Sequence, residues 1–334
     1  MLTRREGQGA APLVARRWPA LRTAATGVAV VFLAVGCAFA GPPDPPPGEW
    51  TVTEIQSSET DESSGLVRSR TWPGVFWTHN DSGDDPRIFA IDGEGALLAE
   101  FELIGVENND WEDIAIDDDG NLYVGDVGNN WNEREDLAIL RIREPDPNTG
   151  GGRIEVEQVI RFAFADQETL GDRTAMNFDC EALIWRAGKL YVFTKHRSDA
   201  ATKLYAIDPQ APGRQAVRPA ARYELGQETA GFMGNTTGAD VMPESDRVAL
   251  LTYRGAYLFE WPENAKSPNG PVATIPMDID VTQQAESIAW DGDEIVIGNE
   301  QQRLFRIPNP FVDGFEAMPI EPPATEEPGP RTER

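Results

Sequence analysis

Apolar residues in this chain fall into short β-branched and aromatic runs broken by Gly, Asp, Asn and Pro, and no long stretch carries the period of an amphipathic helix. Laid over one another, the runs share an order of parts. A small or acidic residue opens an apolar strand, and a turn, a second strand, a polar cluster and a third strand follow. The clearest copy, second in the chain, has strand 112–116, turn 117–121, strand 122–124, polar cluster 126–130 and strand 138–142. The third reads 181–185, 187–188, 190–193, 195–197 and 204–207. The fourth reads 240–242, 243–246, 248–251, 253–254 and 257–261, and the fifth 286–290, 291–293, 295–297, 299–300 and 304–307. The first is looser, with 64–67, 72–74, 75–78, 79–81 and 88–91.

The acids that open the later copies, Glu112, Glu181, Asp240 and Glu286, stand 69, 59 and 46 residues apart. Repeats of roughly 40–50 residues with about four strands each mark propeller blades. Excess loops at 166–179 and 226–238 accommodate the longer steps. A fourth, outer strand follows the early copies at 96–103 and 154–164, but the last copy lacks one. Residues 50–55 can supply it, closing the ring and covering an exposed sheet edge. The expectation is an all-β chain forming a single β-propeller over 50–319. It should have about five blades, six if one is degenerate, and be closed by the N-terminal strand.

The flanks read differently. Residues 1–22 are basic and 23–40 carry no charge, which predicts a signal peptide over 1–36. Ala34-Val35-Gly36-Cys37 resembles a bacterial lipobox, with Leu33 one position too early, and implies lipidation of Cys37. Ala38-Phe39-Ala40 instead offers cleavage after Ala40 and a secreted product, and an uncleaved anchor is the third option. All three put the domain outside the cytoplasm, as a cell-envelope lipoprotein or a secreted protein. Residues 37–49 form a Pro-rich tether, and 320–334 a Pro- and Glu-rich disordered tail.

Charge narrows the partners. The 334 residues include 29 basic and 56 acidic side chains, a formal net charge of −27. Five of the arginines but only one acid lie in residues 1–36, so the remainder holds 24 basic and 55 acidic residues, a net −31. Such a surface repels phosphate backbones and anionic lipid, so nucleic acid is not an expected partner. Membrane attachment would run through the N-terminal lipid or anchor alone. Beside Cys37 the chain has only Cys180, which sits next to a predicted strand and reads as a small buried hydrophobe. The two histidines are His79 and His196, and no catalytic residue is assigned.

Propeller topology sorts the polar residues before any coordinates. With strands A to D numbered outward from the channel, the D-to-A and B-to-C connections share one face, and the A-to-B turns lie on the other. Asp117-Asp118-Asp119-Gly120 and Asp291-Gly292-Asp293 occupy A-to-B turns and lack the ligand spacing of a calcium loop, so hairpin turns are expected there. Glu112, Glu181, Asp240 and Glu286 open strand A beside the channel. Asn80, Asp81, Asp126, Asn129, Lys195, His196, Arg254 and Glu300 lie in the clusters after strand B. Both sets should meet at one mouth. Repeated carboxylates there repel one another unless a cation or a fixed positive side chain neutralises them. Hard oxygen ligands in number favour Ca²⁺. The alternative is that the acids accept backbone N–H groups and stitch the blades together, with Lys195, His196 and Arg254 pairing with them or receiving an anionic ligand.

Trp77-Thr78-His79-Asn80-Asp81-Ser82-Gly83, Asp110-Trp111-Glu112-Asp113-Ile114-Ala115 and Tyr123-Val124-Gly125-Asp126-Val127-Gly128-Asn129-Asn130 resemble a family of exported bacterial β-propellers of unassigned function. Phe193-Thr194-Lys195 and Thr237-Gly238-Ala239-Asp240 extend the resemblance over most of 60–307. More distantly the chain is similar to calcium-binding propellers of the gluconolactonase and phytase-like kinds. That resemblance implies a Ca²⁺ held by Glu112, Glu181, Asp240 and Glu286, with Asn80 or Asn129. No phytase phosphate-pocket motif is matched. Two functional classes stay open: a monomeric module binding a small molecule or a protein at its mouth, and a Ca²⁺-dependent hydrolase of phosphoesters or lactones.

Overall fold

Five sheets, each built mainly from strands consecutive in the chain, together form a five-bladed β-propeller. The computed structural model describes residues 50–225 and 235–308. The expected signal peptide, tether, Cys37 and C-terminal tail, and most of the loop at 226–238, lie outside the described residues. Strand β1 (Thr51–Glu54) precedes blade 1, which contains β2 (Ser63–Arg68), β3 (Val75–Asn80), β4 (Arg87–Asp92) and β5 (Leu97–Ile104). Blade 2 begins with β6 (Trp111–Ile116), β7 (Asn121–Asp126) and β8 (Ala138–Arg143), then β9 (Gly151–Glu155) leaves it and β10 (Gln158–Phe164) returns. Blade 3 has β11 (Asp179–Arg186), β12 (Lys189–Lys195) and β13 (Ala201–Ile207), then β14 (Gln215–Val217) departs and β15 (Pro219–Glu224) completes it. Blade 4 is β16 (Thr236–Val241), β17 (Arg247–Thr252), β18 (Gly255–Glu260) and β19 (Ala273–Pro276). After the four-residue α1 (Ile279–Thr282), blade 5 is β20 (Ala285–Asp291), β21 (Glu294–Asn299) and β22 (Arg303–Ile307).

Blade 5 is completed by β1, which runs antiparallel to β22 with Val52 opposite Phe305. The expected closure by the N-terminal strand is therefore what the fold uses. The stretch expected as one outer strand at 154–164 divides. Only β10 stays with blade 2, while β9 adds in parallel to β5 at the edge of blade 1. Likewise β14 adds in parallel to β10 at the edge of blade 2. Each crossing covers the outer edge of the preceding blade, which would otherwise present unpaired backbone. The first crossing needs glycine, because a Cβ on Gly151, with φ +133°, would stand 2.3 Å from the carbonyl oxygen of Glu100.

The core is five apolar layers, one between each pair of adjacent blades. Trp77 and Trp111 meet between blades 1 and 2, and Trp261 closes on blade 3. The thinnest layer joins blade 5 to blade 1 around Ile55, Phe76 and Leu304. Cys180 is a buried member of the layer between blades 2 and 3, and burial pushes its thiol well above the usual range.

Every innermost strand carries the same irregularity near its start. Pairing with strand B skips one residue, at Gly65, Glu112, Glu181, Thr237 and Glu286 in turn. A bulge of this kind re-aims one side chain and sharpens the local twist. Five bulges at one level make a ring, and three of its members are glutamates.

Candidate metal centre

The bulges place Glu112, Glu181 and Glu286 on one level, all buried. Blade 1 offers Gly65 there, with φ +68°, and a Cβ would meet the imidazole of His79 at 2.7 Å. Blade 4 offers Thr237, whose hydroxyl donates to the carbonyl of Ala285 at 2.8 Å. Asp240, expected to be the fourth ring acid, is not at this level. It lies three residues further along β16, where its carboxylate accepts the backbone N–H of Trp290 at 2.8 Å and of Val241 at 2.7 Å. Asp240 therefore joins blade 4 to blade 5, and burial holds its carboxyl up at about 6.

Two positions before the bulge, blades 2 and 3 carry Asp110 and Asp179. Carboxylate oxygens of Asp81, Asp110 and Glu112 all lie within 4.8 Å of one another, and so do those of Glu112, Asp179 and Glu181. Both groups can hold a metal ion, and Glu112 belongs to each. Gly128 makes this approach feasible. A Cβ there would lie 2.2 Å from Oε1 of Glu112 and 2.4 Å from Oδ2 of Asp110, inside both carboxylates.

The halves of the ring differ in their internal counter-charge. Lys195 reaches Oε1 of Glu181 at 3.0 Å and lies 3.5 Å from the hydroxyl of Tyr253, which donates to Glu286 at 2.5 Å. Burial opposes the ammonium charge of Lys195, but Glu181, Tyr253 and Glu286 outweigh it and hold the group well above its ordinary value. Burial drives the Glu181 and Glu286 carboxyls up, and Lys195 pulls both back. Asp179 is also satisfied, accepting from Arg197 at 2.8 Å and from the N–H of Asn129 at 2.6 Å.

The other half has no such partner. Among the described residues, no cationic side chain lies within ion-pair distance of Asp81, Asp110 or Glu112. Burial, then the charges of Glu181, Asp81, Asp179 and Asp110, push the Glu112 carboxyl well above its usual range. Burial followed by Asp179 and Asp81 raises Asp110 to about 6, with Arg134 opposing. Burial also raises Asp81.

The remaining expected residues divide. Asp126 pairs with Arg134 at 2.8 Å and accepts from Asn109 at 2.7 Å and from the N–H of Asp110 at 3.2 Å, so it positions the loop that carries Asp110. Asn129 spends its side chain on the carbonyl of Phe178 and the N–H of Arg134. Asn80 donates to the carbonyl of Glu59 and to Asp84, while its buried amide oxygen has no donor. His196 is held by Asp199 at 2.8 Å within its own turn rather than by a ring acid, and burial lowers its pKa. Arg254 is exposed, and Tyr253 beside it takes the inward position. Glu300 accepts from Gln284 at 2.8 Å, and burial followed by Glu286, Asp81 and Glu62 lifts its carboxyl to about 7. His79 is fully buried, its pKa lowered to about 4 by desolvation, so it is neutral near pH 7.

The acidic turns on the opposite face behave as hairpins. Asp117 accepts the N–H groups of Asp119 at 3.0 Å and Asn121 at 2.8 Å, and Gly120 takes φ +74°.

Comparisons with known proteins add little to this picture. No family model matches the chain, and no curated protein matches it. Among solved structures it is similar to a selenomethionine-substituted virginiamycin B lyase from Staphylococcus aureus. That chain is 12% identical, with 76% of this chain and 68% of that one covered at a TM-score of 0.33. It is also similar to a glucose dehydrogenase, 10% identical, with 77% and 99% covered at a TM-score of 0.47. Values this low carry no argument about chemistry.

Proposed function

We propose that this chain is an exported, lipid-anchored propeller that binds a small molecule or a protein at its acidic mouth through a divalent cation, and that the cation is Ca²⁺. The observation that carries the reading is the uncompensated half of the ring. Lys195 and Arg197 neutralise Glu181 and Asp179, whereas Asp81, Asp110 and Glu112 converge with no ion-paired cationic side chain among the described residues. The donor set fits the ion, since carboxylate oxygens alone suit a hard cation and Gly128 leaves space where a side chain would push two of them apart. Asp81, Asp110 and Glu112 would hold the cation, with Asp179 and Glu181 at its border. Export and anchoring are supported by the basic-then-apolar leader and by Cys37.

A second reading, a hydrolase of phosphoesters or lactones, is favoured by Lys195 and Tyr253 beside the same acids. Bound Ca²⁺ would supply Lewis-acid polarisation of a substrate oxygen. Lys195 would orient an anionic substrate, with Tyr253 fixed beside it by its hydrogen bond to Glu286. Phosphoester and lactone turnover that requires calcium and disappears in Lys195→Met would favour this reading over binding alone.

The cation itself is tested by calorimetric titration of EDTA-stripped protein with CaCl2. Saturable binding lost in Asp110→Asn and kept in Asp240→Asn is expected. Absence of binding by wild type, or equal loss in both variants, would remove the basis of the proposal.

A further inference from the structure

The face opposite the acidic mouth carries a pocket of about 590 Å³, a size ordinary for a small-ligand site. It is framed by A-to-B turns and by Glu263 from the loop after β18. Its wall contains Arg70, Trp185, Arg186, Val241, Met242 and Pro243. Two guanidinium groups thus enter one concavity of a strongly acidic protein.

Neither forms an ion pair with a carboxylate among the described residues. Among the described residues, Arg70 makes no ion pair and no side-chain hydrogen bond. The acid acting on it, Asp240, spends its carboxylate oxygens on the N–H groups of Val241 and Trp290. Arg186 donates to the carbonyls of Ser245, at 3.2 Å, and Trp261, and lies over the Trp261 ring at 5.2 Å. Those contacts fix the guanidinium in place while leaving its charge in full. Both arginines are half-buried, whereas Asp118, Glu244, Asp246 and Glu263, which also line the pocket, are exposed. Solvent screens those exposed charges more strongly than the half-buried pair. Trp185, stacked on Tyr123 at 5.3 Å and 10°, provides a rigid aromatic surface beside them, and Met242 an apolar one.

We propose that this pocket binds a small organic oxyanion, with Arg70 and Arg186 receiving the charged group and Trp185 and Met242 packing on its apolar body. Guanidinium groups suit carboxylate and phosphate alike because their N–H fork matches both. The site is independent of the cation at the other mouth.

The test titrates the full chain with benzoate, phenyl phosphate and the uncharged benzyl alcohol, read by calorimetry and by melting temperature. Benzoate binding points to a carboxylate ligand and phenyl phosphate binding to a phosphate ester, and saturable binding of either is expected. Affinity should fall at least tenfold in Arg70→Gln, recover in part in Arg70→Lys and stay unchanged in Glu112→Gln. Met242→Glu, which sets a competing carboxylate in the wall, should abolish binding and serves as the readout if Arg70→Gln does not fold. The proposal is overturned if neither anion binds, if benzyl alcohol binds as well as they do, or if the Arg70 and Met242 variants retain wild-type affinity.

Discussion

Glu112→Gln separates a cation site from structural stitching by the sign of its effect. Glu112 shares two carboxylate clusters in which the ligand oxygens lie within 4.8 Å of one another. At an effective dielectric near 20, two unit charges at that distance repel by about 3 kcal/mol. Protonation within the cluster and the nearby Lys195 reduce the relief from removing one charge to about 1–2 kcal/mol. At roughly 2–4 °C per kcal/mol for a domain of this size, the variant should melt roughly 2–8 °C above wild type in EDTA at pH 8. Calcium should then raise the melting temperature of wild type, because it binds the folded form, and leave that of the variant nearly unmoved. Circular dichroism melts of both proteins in EDTA and in millimolar CaCl2 provide the comparison. If Glu112 instead stitches the blades, the variant loses hydrogen bonds and melts below wild type in both buffers. That result would refute the electrostatic reasoning.

Two further outcomes follow from the same ring. Asp110 is raised from an ordinary 3.8 to about 6 and Glu300 from 4.5 to about 7, so the folded state keeps protons that the unfolded chain has released. Stability in EDTA should therefore fall as pH rises from about 4 to about 7, by about 3 kcal/mol for Asp110 alone, with the lowered pKa of His79 offsetting part of the fall. Urea denaturation across that range checks the sign, and stability that rises with pH contradicts it. Gly128→Ala should weaken calcium binding at least tenfold while the far-ultraviolet spectrum stays that of wild type, since its Cβ would enter the space of Glu112 and Asp110. Unchanged affinity would mean that neither carboxylate is held where the ion would sit.

The architecture was legible because blades repeat, and the periodic runs revealed both the number of sheets and the strand that closes the ring. The parallel crossings of β9 and β14 were not legible. They pair residues distant in sequence, and nothing in a short apolar run says which neighbour it will join. Within the site, Glu112, Glu181 and Glu286 stand in equivalent places because each opens its strand in the same way. Asp240 opens its copy with an acid, but the physical register runs through the bulge, where blade 4 has Thr237. Arg254 is exposed, while Tyr253 beside it turns inward to Glu286. Asp110 and Asp179 carry a sequence signal of their own. Asp-x-Glu occurs at 110–112 and again at 179–181, immediately before the apolar run in both copies. That Asp110 has no ion-pair partner among the described residues while Asp179 has Arg197 depends on loop geometry, which no spacing rule supplies.

The central claim is that Asp81, Asp110 and Glu112 hold a divalent cation at the mouth of the channel. A crystal structure of the protein grown with CaCl2 tests it most directly, with a lanthanide soak to mark the ion by anomalous scattering. The account predicts an anomalous peak within 2.3–2.6 Å of oxygens from those three residues, with Lys195 still paired to Glu181. A mouth without such a peak, or a peak coordinated by other residues, would contradict it.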